Sequence, residues 1–196
     1  MRRLLFALAA TLLLPAGVGA QPANLAEIAR ALPPLPRDAG AVRLPLGTEG
    51  PAAWRPVRDG ISVTAAPEGL TASYRVATGQ PAGAALVVPP GTFAGLRSLR
   101  LKLQGTRNAQ LMVFLRDGAG VAYAFPSVPV RVGDARETEI FVSDLSYLGQ
   151  ASSVPDPGSF DLAGAVMISL VDIAGYMGSE TPETAWTLES LEGVLQ

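Results

Sequence analysis

The chain has 196 residues and contains no cysteine and no histidine. Without thiol or imidazole groups it cannot form a Ser-His-Asp triad, a Cys-His dyad, a haem-attachment motif or a disulfide framework. The same absences remove the nitrogen and sulfur ligands that zinc prefers. Polar chemistry is therefore left to carboxylates, hydroxyls, arginines, tyrosines and a single lysine, Lys102.

Charged and aromatic residues are also scarce, at 16% and 6% of the chain. The formal net charge is −2 and there is no run of basic residues, so the chain lacks the positive surface that a phosphate backbone requires. We therefore expect no nucleic-acid partner. Hydrophobic residues make up 48% of the sequence, which predicts a folded core of single-domain size and argues against disorder.

The first twenty residues are typical of a secretory signal. Arg2 and Arg3 precede an apolar run from Leu4 to Leu14, and small residues lead up to Ala20. We expect a signal peptide over residues 1–20, cleaved between Ala20 and Gln21. The apolar run is shorter than the roughly 20 residues that span a bilayer, so no membrane span is expected in the mature form. The sequence predicts a periplasmic or secreted bacterial protein.

Residues 21–42 are predicted to form an N-terminal arm with a short helix and a proline-rich linker. Asn24 stands three residues before Glu27, which is the spacing of a capping box, and apolar residues recur at helical intervals from Leu25 to Leu32. The prolines between Pro33 and Pro36 end the helix. Two roles stay open at this point: a tether to the domain, or a helix that docks on a partner or on the domain's own edge.

From residue 43 to residue 196 the hydrophobic period changes to two. Leu99, Leu101 and Leu103 alternate with polar residues, and the run from Ala109 to Arg116 repeats the pattern. Glycines in the segment Asp117–Gly120 predict a hairpin. Eight to ten short runs of this kind, separated by turn signals, predict an all-β fold: an antiparallel β-sandwich or jelly roll, with a short N-terminal helix or extended arm.

The order of the motifs permits a comparison with known families. Trp54 and Asp59-Gly60 precede a predicted strand that contains Tyr74. The segments that follow, in chain order, are AGLRSLRLKLQG, LMVFLRDGAGVAY, ETEIFVSDL, VPDPGSFDL, AVMISLVD and WTLESLEGV. This succession resembles the galactose-binding-like jelly rolls, in particular the family 11 carbohydrate-binding modules and the complex I intermediate-associated protein 30 family. The resemblance implies a five-on-four antiparallel sandwich, with ligands on the concave sheet or at the loops of one end.

The alternating strands also predict a candidate ligand-binding face. If the two sets of leucines are in the core, one opposite face carries Arg100, Lys102, Gln110, Met112, Phe114 and Arg116. Rings and apolar side chains pack on sugar C–H faces, and polar neighbours bond the hydroxyls. Met112 and Phe114 either line a binding groove or are covered by the arm or a loop.

A metal site in this chain would have to use oxygen ligands, which favours calcium. Asp156, Asp161, Asp172 and Glu180 lie in loop-rich sequence, and similar jelly rolls hold a structural calcium between loops and a terminal strand. The alternative is that these carboxylates bond their own backbone in turns. No other cofactor is expected.

The sequence therefore predicts an exported, non-catalytic binding module of the cell envelope, with a glycan as the first ligand. The alternative is a periplasmic protein-assembly or scaffolding factor that contacts an envelope protein with the same face. A glycoside hydrolase would need only two carboxylates, and Glu137 with Glu139, or Glu189 with Glu192, are candidates. Glutamates so close on one strand are typical of a solvated face, so we expect no enzyme.

Overall fold

The structure, a computed structural model, describes residues 22–147 and 161–196. One α-helix, α1, spans Pro22–Arg30. The strands are β1 (Arg37–Asp38), β2 (Ala41–Arg43), β3 (Trp54–Pro56), β4 (Ser62–Ala66), β5 (Gly69–Val76), β6 (Ala82–Val87), β7 (Leu96–Gly105), β8 (Ala109–Asp117), β9 (Ala122–Ala124), β10 (Val128–Val130), β11 (Arg136–Phe141), β12 (Ser146–Tyr147), β13 (Ala165–Asp172) and β14 (Thr181–Leu195).

The strands form two sheets, and every pair of named strands is antiparallel. Sheet A is built around the 15-residue strand β14. One edge of β14 pairs with β5 and then with β2, and its other edge pairs with β7. Strands β4, β1 and β11 extend sheet A beyond β5, β2 and β7. Sheet B has the order β12-β9-β8-β13-β6-β3, with β10 also beside β8.

The core lies between the two sheets. Leu99 and Leu101 of β7 and Leu111 and Leu115 of β8 are fully buried, as the period of two predicts. Trp54 of β3 and Trp186 of β14 are each 1% exposed. Burial of these large side chains on facing sheets is the main favourable contribution to the stability of a sandwich. The predicted all-β antiparallel sandwich is therefore confirmed.

Three strands escaped the sequence prediction because of their length. Strands β1, β2 and β12 have two or three residues each, which is too short to show an alternation. With them the described residues contain fourteen strands, more than the eight to ten expected. Strand β2 pairs with β14 and spans the predicted arm boundary at residue 43.

The connections at the two ends of β8 differ. Asp117–Gly120 forms the expected hairpin between β8 and β9, and the Asp117 carboxylate accepts hydrogen bonds from the backbone N–H groups of Ala119 and Val121 at 2.9 and 2.8 Å. The segment from Gly105 to Asn108 connects the two sheets. It carries the chain from β7 in sheet A to β8 in sheet B. A Cβ atom at Gly105 would lie 2.6 Å from Cγ1 of Val130, so this crossing requires glycine.

Within residues 22–147 and 161–196, no helix is long and apolar enough to cross a bilayer.

Candidate ligand-binding faces

The outer face of sheet B is the side of β6, β13, β8 and β9 that points away from the core. Cross-strand register aligns its residues in rows: Ser169 of β13 lies opposite Ala85 and Phe114, and Phe114 lies opposite Ala124. The side chains of this face are Ala85, Val87, Gln110, Met112, Phe114, Arg116, Ala122, Ala124, Met167, Ser169 and Val171. Small or apolar residues make up most of this face.

The middle of this outer face is buried. Phe114 is 5% exposed, and its neighbours Ser169 and Ala124 are 3% and 2% exposed. Of the two alternatives for Phe114, the structure shows a covered side chain and no open surface, because its ring packs within the main hydrophobic cluster. Met112 is half-buried and Gln110 is exposed. Accessible groups are thus concentrated where β8 begins.

Arg116, at the other end of β8, is half-buried. Burial lowers the pKa of its guanidinium from the usual value, and the carboxylate of Asp117 acts in the opposite direction. Loss of hydration disfavours the charged form of a group, which is the cause of the first effect.

Helix α1 packs on the outer face of sheet B. Leu25 and Ala29 are 7% and 0% exposed and form a cluster with Val166, against which Val87 and Met167 also pack. Ala26 comes close to the β8–β9 turn, where a Cβ atom at Gly118 would be 3.0 Å from the Ala26 Cβ. Of the two roles left open for the arm, the structure shows a helix docked on its own domain. It covers the end of the face where β8 ends and β13 begins.

Arg100 and Lys102 do not share the face of Gln110, Met112, Phe114 and Arg116. They belong to β7, and β7 and β8 lie in different sheets, so their outer sides face away from each other. The single candidate face that the sequence predicted is therefore wrong in its geometry. The prediction is wrong because side-chain alternation does not determine which sheet each strand joins.

The outer face of sheet A is charged, and many of its charges are paired. Arg100 Nε lies 3.5 Å from Glu139 Oε2, and Lys102 Nζ lies 2.7 Å from Glu189 Oε2. The Ser98 hydroxyl donates to Glu139 Oε1 at 2.6 Å. That hydrogen bond, with help from Arg100 and Arg97, lowers the pKa of Glu139. The hydrogen bond from Lys102 to Glu189 likewise raises the lysine pKa.

Two of the glutamates proposed as acid–base pairs are thus engaged elsewhere. Glu139 accepts from Ser98 and faces Arg100, and Glu189 pairs with Lys102. A general acid needs a raised pKa, whereas these contacts act to keep Glu139 ionised. The geometry does not favour a glycosidase dyad on this face.

A buried polar cluster connects the two sheets at one end of the sandwich. Tyr74 Oη donates to Asp172 Oδ2 at 2.8 Å, and Arg107 Nη2 donates to the same oxygen. The backbone N–H of Ala174 donates to Asp172 Oδ1 at 2.9 Å. Burial, followed by the charge of Asp172, raises the pKa of Tyr74 well above its usual value. A buried carboxylate with a cation and two neutral donors is well compensated.

This cluster accounts for one of the predicted calcium ligands. Asp172 is held by Tyr74 and Arg107, Asp161 accepts from the N–H of Ala163 at 2.9 Å, and Glu180 accepts from the hydroxyl of Thr78 at 3.1 Å. Asp156 lies outside the described residues. In the described part of the chain, no three acidic residues come together as a metal site. Calcium binding through the full set stays a prediction.

A cleft that sequence reasoning missed opens at the edge of sheet A. It has a volume of about 420 Å³ and lies where β4, β5 and β14 meet, lined in part by Ser62, Ser73, Arg75 and Glu183. The available signal was weak: Ser73 and Arg75 alternate with the buried Ala72 and Tyr74, which places them on the outer side of β5. Nothing in the sequence predicts that Glu183 lies opposite Arg75.

Comparisons with known proteins identify the fold. No protein-family model matches the chain, and no curated protein matches it. Solved structures do match. A family 11 carbohydrate-binding module from Clostridium thermocellum, solved in complex with a β-1,3-1,4-mixed-linked tetrasaccharide, has a TM-score of 0.58 and 16% identity, and the match covers 82% of this chain and 99% of that one.

Two further structures agree. A variant of a family 29 carbohydrate-binding module has a TM-score of 0.51 and 13% identity, with 79% of this chain and 91% of that one covered. An agarase has a TM-score of 0.55 and 10% identity, but the match covers 81% of this chain and only 25% of the agarase. The chain therefore has a galactose-binding-like β-sandwich fold that resembles the family 11 modules. The predicted resemblance to the complex I intermediate-associated protein 30 family stays a prediction.

Proposed function

We propose that this protein is an exported, non-catalytic carbohydrate-binding module of the bacterial cell envelope, and that it binds glycan on the outer face of sheet B. The observation that carries the proposal is the likeness to the family 11 module, which covers 99% of that module. A whole binding module is thus matched, whereas only 25% of the agarase is matched. Such a likeness supports a binding role more than a catalytic one, although a fold alone does not determine function.

The accessible end of the sheet B outer face has suitable chemistry for a sugar. The Gln110 amide is exposed and can both donate to and accept from a hydroxyl, and half-buried Met112 offers an apolar surface to a C–H face. Arg116 lies at the far end of the strand. Because α1 covers that far end, we place the ligand over Gln110 and Met112.

The export part of the proposal rests on the sequence. Residues 1–20 have the composition of a signal peptide and lie outside the described residues. A glycan-binding module of the envelope would require such a signal to reach its ligand.

Affinity electrophoresis would test the glycan-binding proposal. We expect the purified protein to be retarded in gels that contain β-1,3-1,4-mixed-linked glucan or another polysaccharide of a small panel. Gln110→Ala and Met112→Ala should reduce the retardation at least several-fold. The matched controls are Arg100→Ala and Lys102→Ala, which change exposed parts of β7 on the opposite sheet and should migrate as the parent does.

Two results would contradict the proposal. One is unchanged migration of the parent protein on every polysaccharide of the panel. The other is an equal loss of retardation in the sheet A controls, which would show that binding is not confined to sheet B.

Protein contact is the second candidate function, and helix α1 favours it. The outer face of sheet B already accepts one amphipathic helix through Leu25 and Ala29. A partner helix could therefore occupy the remaining apolar surface near Met112. If a photo-crosslinker at position 112 captures one recurrent envelope protein while no glycan retards the chain, the scaffolding function replaces the glycan-binding one.

A further inference from the structure

The cleft at the edge of sheet A combines four polar side chains from three adjacent strands. Ser62 of β4 lies opposite Ser73 of β5, and Arg75 of β5 lies opposite Glu183 of β14. Directly opposed residues of antiparallel strands have Cβ atoms about 5 Å apart. Gly60 and Ile61, which precede β4, complete one wall. The volume of about 420 Å³ falls within the range of pockets that hold small ligands.

None of these four side chains has a partner among the described residues. No ion pair joins Arg75 to Glu183 or to another residue there, and no hydrogen bond engages the two serine hydroxyls. The rest of the sheet A outer face differs, because Lys102 pairs with Glu189 and Arg100 faces Glu139. Hydrogen-bonding capacity in the cleft is therefore free for a ligand.

The combination of groups restricts the class of ligand. A guanidinium only donates hydrogen bonds, an ionised carboxylate only accepts them, and a serine hydroxyl does both. An anion would be repelled by Glu183 and a cation by Arg75. A neutral ligand with neighbouring hydroxyls can accept from the guanidinium, donate to the carboxylate and exchange hydrogen bonds with the serines at the same time.

We propose that this cleft is a second sugar-binding site, which takes the vicinal diol of one sugar unit between Arg75 and Glu183. It lies on the sheet opposite to the face in the proposed function, and neither site depends on the other. With both sites occupied, the module would be bivalent and could join two glycan chains. Two weak sites on one module raise the strength of attachment to a polymer well beyond that of either alone.

Nuclear magnetic resonance titration of the ¹⁵N-labelled protein would test this inference, with the β-1,3-1,4-mixed-linked tetrasaccharide as the probe. We expect concentration-dependent shifts of the amides of Ser62, Ser73 and Arg75. Glu183→Gln and Arg75→Gln should weaken that response at least tenfold. The same cleft response should persist in Met112→Ala.

Glu189→Gln is the matched control, because it makes the same chemical change on the same strand at a carboxylate already paired with Lys102. It should leave the cleft response unchanged. Melting curves would establish that each variant is folded. Glu183→Gln and Arg75→Gln should be tolerated, since these exposed side chains make no internal contacts, and Glu189→Gln should cost little because its ion pair with Lys102 is accessible to solvent.

The outcomes separate the two proposals. Shifts at the cleft without shifts near Gln110 would support the second site and contradict the proposed function. Shifts near Gln110 alone would overturn the second site and leave the proposed function standing. The second site is also overturned if Glu183→Gln has no effect, or if glycine, a zwitterion that matches the two charges, displaces the sugar from the cleft.

Discussion

The outer faces of the two sheets differ in composition and in burial. On sheet A several outward residues of β7 and β11 are charged and partly exposed, and Arg100 of β7 is paired with Glu139 of β11. On sheet B the outward residues of β8 and β13 are mostly small or apolar, and Phe114 and Ser169 are almost fully buried. The two faces come from strands with the same alternation of residues.

This difference shows that the outward side of a strand need not be a solvated side. Charged side chains on sheet A keep that face in water and protect the edge strand β11 from pairing with other chains. On sheet B, helix α1 covers one end of the face, so that the outward residues Val87 and Met167 pack against a second small core. This difference predicts that substitutions of outward residues lower the free energy of unfolding strongly on sheet B and only slightly on sheet A.

The largest effect is expected from Phe114→Ala. Removal of a buried ring leaves a cavity, so the free energy of unfolding should fall by roughly 3–5 kcal/mol. The control is Lys102→Ala on sheet A, where an exposed ion pair contributes little. Urea denaturation at neutral pH measures both changes. If both substitutions lowered the free energy of unfolding by the same small amount, the expected difference between the two outer faces would be wrong.

A smaller effect is expected from Tyr74→Phe, which tests the polar cluster that joins the two sheets. Without the phenol, the buried carboxylate of Asp172 loses a donor, so the free energy of unfolding should fall by about 1–3 kcal/mol. Thermal or urea denaturation of the variant measures this loss. A stability equal to that of the parent would show that Arg107 and the backbone N–H of Ala174 satisfy the carboxylate without the phenol.

The same residue should affect the alkaline limit of stability. Because burial raises the pKa of Tyr74, its phenol stays neutral in the folded protein after it has ionised in the unfolded chain. The contribution of Tyr74 to the free energy of unfolding is fully present below a pH of about 10 and is lost as the pH rises further. Tyr74→Phe should flatten this decline. Tyr176→Phe is a useful control, since burial raises the pKa of Tyr176 to about 12 and should give a weaker dependence.

The smallest effect is expected from Ser98→Ala on sheet A. The Ser98 hydroxyl is the main reason why the pKa of Glu139 lies below 4.5, so its removal should raise that pKa towards 4.5. Any stability linked to Glu139 is present above the ordinary carboxylate pKa and is lost as the pH falls through the lowered value. Carboxyl-carbon nuclear magnetic resonance titration gives the pKa directly. An unchanged pKa would mean that Arg100 and Arg97 dominate.

Local sequence patterns predicted most of the strands and the docked helix. Strand β13 was expected at Ala165–Asp172 and occurs there, because its apolar residues and flanking glycine are local signals. Leu25 and Ala29 were predicted to share one side of a helix, and they do. The surface on which that helix lies could not be predicted, since it is formed by β6 and β13, residues far along the chain.

The candidate site was predicted less well than the fold. The sequence correctly predicts that Gln110 and Met112 share a face, because they are on one strand. It wrongly adds Arg100 and Lys102 to that face, because alternation does not show that β7 and β8 lie in different sheets. The sequence does not predict the cleft at Arg75 and Glu183, because these residues lie opposite each other on strands that are more than one hundred residues apart in sequence. Side-chain alternation contains no information about such partners.

By itself, the amino-acid sequence determined which residues of each strand share a side, because successive side chains of an extended chain point in opposite directions. It also determined the absence of thiol and imidazole chemistry, which depends on composition alone. Only the tertiary structure decided which strands are neighbours. The leucines of β7 and β8 would be buried whether the two strands lay in one sheet or in different sheets. Which of the two occurs depends on the packing of all strands into two sheets.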